Sequence, residues 1–173
     1  EDKDENFKKY IFSILASKLL EVSSTTLPQY VLQKIYEDEN YKISLKNRIN
    51  KYKIRADLAE EYLGDLDEIT LIKPKGAFYL SIVFNMDNIN LDYTPNISNV
   101  EIINIIKEII SKSNRFDKKF CYYMLGKTGI CSVPLSGFNS TYEGFRITLL
   151  EENKDKFKKI FSTIREFILE FKK

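Results

Sequence analysis

The stretch EGFRITLLEENKDKFKKIFSTIREFI, residues 143–168, places a strand-length apolar run directly before a segment of helical periodicity. In FRITLL (145–150) apolar residues alternate with others, which predicts a strand whose two faces differ in polarity. One face would carry Phe145, Ile147 and Leu149, and the other Arg146 and Thr148. After residue 154 apolar residues recur every three to four positions, which predicts an amphipathic helix. Its apolar stripe consists of Phe157, Ile160, Phe161, Ile164, Phe167, Ile168 and Phe171.

The same two kinds of pattern, strand-length apolar runs and helical periodicity, occur in the rest of the chain. Three further runs have the length and composition of strands: ITLIK (69–73), AFYLSIVF (77–84) and ICSV (130–133). Helical periodicity predicts three helices in the first part of the chain. The first covers residues 7–20, and the second has Pro28 in its first turn and Thr25 or Thr26 as its cap. The third covers residues 41–63 with one apolar seam and is followed by Gly64, a typical helix stop. Ser98 and Glu101 form a capping box ahead of an isoleucine-rich helix, and a short helix is predicted over 118–125.

These elements predict one α+β domain over residues 1–173, with no internal repeat or linker. We expect a small antiparallel or mixed sheet, with the long 41–63 helix ahead of it in the chain. That helix and the terminal helix should pack on one face of the sheet, since both are strongly amphipathic.

Composition excludes several classes of function. The 173 residues hold 27 Lys and Arg against 25 Asp and Glu, a net charge of +2, which argues against nucleic acid as the main partner. The absence of histidine excludes histidine acid–base catalysis and the usual zinc sites. The two cysteines, Cys121 and Cys131, are too few for a disulfide scaffold or a four-cysteine metal site, and we expect both to be buried and unreactive. No run of about 20 apolar residues predicts a membrane span, and the acidic start does not resemble a signal peptide, so we expect a cytoplasmic protein.

Arg146 is the one residue whose type conflicts with its surroundings, because it interrupts an apolar run. A guanidinium projecting from a sheet beside a turn rich in Gly and Ser can bind a carboxylate through two parallel hydrogen bonds. It can equally form a structural ion pair with one of the many acidic residues of this chain. Alternation alone leaves both interpretations open.

Several blocks of the sequence resemble the carboxy-terminal part of class I/II aminotransferases, which are fold-type I pyridoxal-phosphate enzymes. The blocks are LIKPKGAFYL (71–80), FCYYMLGKTGICSVPLSGF (120–138) and the stretch 143–168, preceded by SSTTLPQYVLQ (23–33) and YKIRAD (52–57). They occur in family order over nearly the whole chain, and they are most similar to the alanine aminotransferase branch.

The resemblance implies a role for particular residues of this chain. Arg146 would bind the α-carboxylate that an amino acid and its 2-oxo acid share, here alanine and 2-oxoglutarate. Gly76 and Phe78 would belong to a strand that closes over the substrate. Pro134, Ser136 and Gly137 would form the turn that brings Arg146 into position. The parent enzyme would be a pyridoxal-phosphate-dependent homodimer.

Two departures from the family pattern affect these expectations. Leu135 and Asn139 stand where the family favours glycine in the turn. No S-x-x-K block for the Schiff-base lysine is present, and neither is a glycine-rich cup for the cofactor phosphate. We therefore expect no catalytic residue in this chain, no cofactor bound by it alone, and no activity of it alone. Two alternatives remain open: a standalone interaction module that keeps the small-domain fold without the chemistry, and an unrelated α+β binding domain.

Overall fold

A computed structural model describes residues 4–20 and 26–173. The helices within these ranges are α1 (Glu5–Leu19), α2 (Thr26–Glu37), α3 (Glu39–Leu63), α4 (Val100–Ile110), α5 (Phe116–Thr128) and α6 (Lys154–Leu169). The strands are β1 (Ile69–Ile72), β2 (Tyr79–Phe84), β3 (Val133–Pro134) and β4 (Gly144–Thr148). Two 3₁₀ turns, Met86–Asn88 and Leu135–Phe138, follow β2 and β3.

The chain divides into two units, Glu1–Lys46 and Asn47–Lys173. In the first unit the two predicted helices are present as α1 and α2, and none of their described residues is buried. Pro28 lies in the first turn of α2, as predicted, whereas Thr26 is already helical rather than a cap. The other candidate cap, Thr25, lies outside the described residues. The expectation of a single domain over 1–173 stays a prediction.

The second unit contains one four-stranded sheet in the order β1-β2-β4-β3, and every neighbouring pair is antiparallel. Burial alternates along β2 and β4 because adjacent side chains point to opposite faces of a strand. The inner face carries Leu80, Ile82, Phe145 and Ile147, all buried. The predicted α+β class, with helices packed on a small sheet, is confirmed.

The core lies between this inner face and the helices of the second unit. α6 contributes the predicted stripe of buried Phe and Ile, and Phe171 just beyond it is also buried. α5 contributes Phe120, whose ring stacks on Phe145 with centroids 5.3 Å apart. α3 is buried only at its end, through Ala56, Ala59 and Leu63. Leu45 and Ile49, which the sequence places on the same seam, are exposed.

Two predicted strands begin later in the structure than the sequence indicates. β2 begins at Tyr79 rather than residue 77, because Ala77 has a left-handed φ of 59° that extended backbone cannot include. Gly76 and Phe78 are therefore not strand residues, which corrects the expectation drawn from the family resemblance. Of ICSV only Val133 is in a strand, because pairing with β4 begins at that residue.

The starts of α4 and α5 also differ from the prediction. The cap of α4 is Asn99, whose side chain accepts hydrogen bonds from the N–H groups of Glu101 and Ile102 at 3.0 and 3.1 Å. The sequence offers Ser98 and Asn99 side by side, and the chain uses the second. α5 begins two residues before the predicted helix, at Phe116, because Phe116 and Phe120 both bury their rings against Phe84.

Candidate functional site

Arg146 lies on the outer face of β4, opposite Ser81 of β2 and Val133 of β3. The predicted alternation is confirmed, since Phe145 and Ile147 are buried, Arg146 is half-buried and Thr148 is exposed. Strand β2 on one side and the border strand β3 on the other thus hold the backbone of this arginine. Its side chain points away from the core.

The guanidinium of Arg146 lies against two aromatic rings. Its Cζ is 4.1 Å from the ring centroid of Tyr79 and 3.9 Å from that of Phe138. Both distances are in the range of a favourable cation–π contact. Within residues 4–20 and 26–173, Arg146 has no carboxylate at ion-pair distance and its guanidinium donates to no protein acceptor. The structural ion pair that the sequence left open is therefore not formed within the described residues.

Tyr79 belongs to a longer row of rings. The ring of Phe78 lies 4.6 Å from that of Tyr79 and 5.8 Å from that of Tyr52 in α3. Arg55, one turn beyond Tyr52, donates from Nη1 to the carbonyl of Leu149 at 2.9 Å. The backbone of Phe78 is fixed as well, because its carbonyl accepts from the N–H of Leu149 at 2.8 Å. The YKIRAD segment and Phe78 are thus brought to the same end of β4.

The Leu135–Phe138 turn carries the second ring. Pro134 pairs with Phe145 at the edge of the sheet, which fixes the start of the turn. The N–H and hydroxyl of Ser136 donate to the two carboxylate oxygens of Asp117, at 2.7 and 2.8 Å. Phe138 at the end of the turn is 47% exposed, so its ring stands at the surface beside Arg146. Pro134 and Ser136 therefore hold the turn that reaches Arg146.

Neither glycine proposed for the site is required by the packing of this chain. A Cβ at Gly76 would meet no atom within 4 Å, and at Gly137 it would only reach Val133 Cγ1 at 4.0 Å. Gly144, which the sequence did not single out, is different. A Cβ there would lie 2.2 Å from the carbonyl oxygen of Ile82 and 2.8 Å from Leu135 Cδ1. Only glycine lets the turn and β2 approach the start of β4 this closely.

The two departures in the turn do not abolish it. Asn139 has a φ of 57°, and asparagine is the residue that adopts this left-handed conformation most readily after glycine. Leu135 fills the space over Gly144. The turn thus forms with side chains that differ from the family pattern.

A buried acidic cluster lies behind the turn. Asp117 is fully buried, and its N–H donates to Glu143 Oε2 at 2.8 Å. Arg115 Nε lies 2.9 Å from Glu143 Oε1 and 3.9 Å from Asp117 Oδ1. Burial raises the pKa of the Glu143 carboxyl, the Asp117 charge adds to this rise, and the Asp117 N–H and the Arg115 charge act against it. One cation thus serves two carboxylates at this position.

Sequence reasoning missed Tyr79, Phe138 and Asp117. Tyr79 and Phe138 meet Arg146 across 67 and 8 residues of chain, and no local pattern encodes those contacts. The signal for Asp117 was its place three residues before Phe120, the first apolar residue of the predicted helix, which is also where a surface acid commonly stands.

The two cysteines and the acidic side chains of the described residues do not form a second reactive site. Burial raises the pKa of the Cys121 thiol to about 12, whereas Cys131 is exposed, so the expectation of two buried cysteines is wrong for Cys131. Within the described ranges no group of three His, Cys, Asp or Glu side chains is placed to hold a metal ion. No helix among the described residues is long and apolar enough to cross a membrane.

Comparison with known proteins adds to this geometry. The chain is 46% identical, over 172 residues, to an uncharacterized aminotransferase of Methanocaldococcus jannaschii. The similarity is to an aminotransferase. It covers 99% of this chain but only 40% of that relative, so the chain spans less than half the length of the relative it matches.

A solved structure shows the same fold. The crystal structure of the aspartate aminotransferase from Rhizobium meliloti matches 73% of this chain and 27% of its own, with a TM-score of 0.55 and 23% identity. That likeness supports the architecture alone. No protein family model matches the chain.

Proposed function

We propose that this chain is the carboxy-terminal small domain of a longer pyridoxal-phosphate-dependent aminotransferase of fold type I, in which Arg146 binds the substrate α-carboxylate. The observation that carries the proposal is the state of Arg146. Its guanidinium lies against two rings on the outer face of the sheet, and its N–H groups have no protein acceptor among the described residues. The 46% identity to an aminotransferase more than twice as long supports the same interpretation.

The chemistry of transamination explains why one arginine serves both substrates. An amino acid and the 2-oxo acid derived from it share only the α-carboxylate, so the same group must be bound in both half-reactions. The planar guanidinium presents parallel N–H groups that match the two carboxylate oxygens. Aromatic contacts on the guanidinium leave those N–H groups free for the substrate, because cation–π attraction does not consume them.

The cofactor belongs to the other part of the proposed enzyme. A lysine that forms a Schiff base needs an amine whose pKa is lowered by burial, and no lysine of the described ranges is buried. Beside Asp57 and Glu60, hydrogen bonds and charge raise the pKa of Lys73 instead. The described residues thus do not fit pyridoxal phosphate, and we assign its binding to the remainder of the longer protein.

The finer parts of the proposal come from the family resemblance of the segments 71–80, 120–138 and 143–168. They are alanine and 2-oxoglutarate as substrates, a homodimer as the assembly, and the cytoplasm as the location. In such a protein Gly76, Phe78, Pro134, Ser136 and Gly137 would line or shape the substrate side of this domain. The exposed Gly76 and Gly137 leave room for another molecule to approach, since a Cβ would meet almost nothing there.

The competing proposal is a standalone interaction module without chemistry. Its main support was the altered turn, and that support is weakened because the Leu135–Phe138 turn still places Phe138 against Arg146.

The deciding experiment measures amino-group transfer between alanine and 2-oxoglutarate by the longest natural protein that contains this chain. We expect activity that Arg146→Ala removes with both substrates, that Arg146→Lys restores poorly, and that Arg48→Ala, at an exposed arginine, leaves unchanged. A natural protein that is folded and inactive with every amino acid would favour the interaction module. Normal activity of the Arg146→Ala enzyme would overturn the assignment of the site.

A further inference from the structure

We infer that the buried Asp117 is a positioning residue for Arg146, acting through Ser136 and the ring of Phe138. The inference rests on the proposed function only for the ligand that Arg146 binds. The chain of contacts itself consists of three links, each defined by distances within the second unit.

The first link joins Asp117 to the turn. Asp117 is fully buried, yet its two carboxylate oxygens accept from a single residue, the N–H and hydroxyl of Ser136, at 2.7 and 2.8 Å. Burying a carboxylate is costly unless its oxygens are hydrogen-bonded. Because both oxygens of this buried carboxylate accept hydrogen bonds from Ser136, they fix the position of Ser136 more firmly than packing alone would.

The second link runs along the turn from Ser136 to Phe138. The Ser136 carbonyl accepts from the Asn139 N–H at 3.2 Å, and the Leu135 carbonyl accepts from the Ser140 N–H at 3.4 Å. These bonds close the turn around Phe138. Its ring is not held by the core, because about half of it is exposed. The turn, anchored at Ser136, therefore decides where this ring stands.

The third link is the contact of the Phe138 ring with the Arg146 guanidinium, 3.9 Å from centroid to Cζ. Tyr79 contacts the same guanidinium at 4.1 Å, and the pairing of Tyr79 with Thr148 fixes its backbone. A long side chain that is already ordered loses less conformational freedom when it binds a ligand. The two rings thus pre-order an arginine that no protein acceptor in the described ranges holds.

The test is an NMR measurement on the side chain of Arg146 in the 173-residue chain. Protons that lie over aromatic rings resonate upfield of their usual position, so the Arg146 signals should be displaced. Arg146→Lys identifies them by their loss. We expect Phe138→Leu to remove most of the displacement that Phe138 causes, Phe138→Tyr to retain it, and Asp117→Asn and Ser136→Ala to reduce it.

Two control variants separate positioning from general damage. Tyr142→Leu removes an exposed ring from the same loop, and Glu68→Gln neutralises the other buried carboxylate, next to β1 at the opposite edge of the sheet. Neither should move the Arg146 signals, although Glu68→Gln should lower the stability of the fold. If Asp117→Asn does not fold, Ser136→Ala and Phe138→Leu decide the matter.

Titration with acetate, followed on the Arg146 side-chain NH signal, gives the functional readout. We expect Phe138→Leu to weaken acetate binding roughly three- to tenfold, the loss expected when one ordered side chain becomes free. Arg146 signals that are not displaced in the wild-type chain, or that Ser136→Ala and Phe138→Leu leave in place, would overturn the inference. Displaced signals that do not respond to acetate would instead contradict the proposed role of Arg146 and leave the positioning links standing.

Discussion

The apolar residues of α1 and α2 recur with the same helical periodicity as those of α6, but none of them is buried, whereas most of those of α6 are buried. Leu19 and Leu27 in the first unit are 85% and 75% exposed, whereas Phe161 and Ile164 in α6 are buried. Periodicity states which residues of a helix share a face, but it does not state whether anything covers that face. An amphipathic sequence therefore indicates a buried helix face only where another element of the described structure packs against that face.

The first prediction tests this contrast directly with two phenylalanines. Phe120→Ala should lower the free energy of unfolding by about 3–5 kcal/mol, because Phe120 is fully buried among other rings of the core. Phe12→Ala in α1 should change it by less than about 0.5 kcal/mol, since the Phe12 side chain is 72% exposed. Urea denaturation of both variants measures the two values. Similar losses would mean that α1 is covered in solution.

The second prediction compares two arginines. Arg115 is paired with Glu143 and donates to the carbonyls of Ser140 and Tyr142, so Arg115→Ala should lower the free energy of unfolding by about 1–3 kcal/mol. Arg146→Ala should affect stability by about 1 kcal/mol at most, the scale of its aromatic contacts. Its large effect, about 2–5 kcal/mol, should fall on the binding of substrate by the complete enzyme.

Parallel denaturation and steady-state kinetics on the Arg115→Ala and Arg146→Ala variants separate the two roles. A large loss of stability in Arg146→Ala, with substrate binding reduced only through unfolding, would show that this arginine is structural.

The third prediction concerns the pH dependence of stability and two carboxylates whose pKa values are shifted in opposite directions. Burial alone would raise the pKa of the Glu68 carboxyl, but a hydrogen bond from Lys172, the Glu68 backbone N–H and the Lys172 charge together outweigh it, so the pKa lies below its usual 4.5. The stabilisation from Glu68 is therefore complete above pH 4.5 and is lost as the pH falls through the folded value. Glu143 has a raised pKa, so its contribution is complete below pH 4.5 and is lost as the pH rises through the folded value.

Unfolding measured from pH 3 to 8 tests both signs. Glu68→Gln should make the loss of stability in acid shallower than in the wild type. Glu143→Gln should make stability rise more steeply between pH 4.5 and neutrality. The same pH dependence in both variants would contradict the assignment.

The last prediction concerns the chemical labelling of the two cysteines, which we expect to affect the fold least. A maleimide should label Cys131 rapidly in the folded chain, whereas Cys121 should react only on unfolding, because its side chain is buried and that burial raises its pKa to about 12. Mass spectrometry before and after denaturant counts the labels, and Cys131→Ser provides the control. Two labels in the native chain would show that α5 opens readily.

Long periodic elements could be predicted from the sequence, and contacts between distant residues could not. The Phe and Ile stripe of α6 and the alternation around Arg146 are local patterns, and the structure confirms both. The start of β2 was missed because the left-handed backbone of Ala77 leaves no mark in residue type. The cap of α4 was missed because two adjacent residues, Ser98 and Asn99, carried the same signal.

The candidate site divides in the same way. Arg146 could be singled out because a charge in an apolar run is a local anomaly. The rings that contact it come from β2 and from the turn after β3, and the acid that holds the turn comes from α5. Those partners depend on tertiary packing, which neither composition nor spacing records.

The two-residue strand β3 has a consequence for how this domain meets other copies of itself. It forms one border of the sheet, and its second residue, Pro134, has no N–H group to offer. An extended segment from another molecule that approached this border would find almost no backbone donors to pair with. Strand addition is therefore disfavoured on the side nearest Arg146, and the four-residue strand β1 at the opposite border is the longer edge for an added strand.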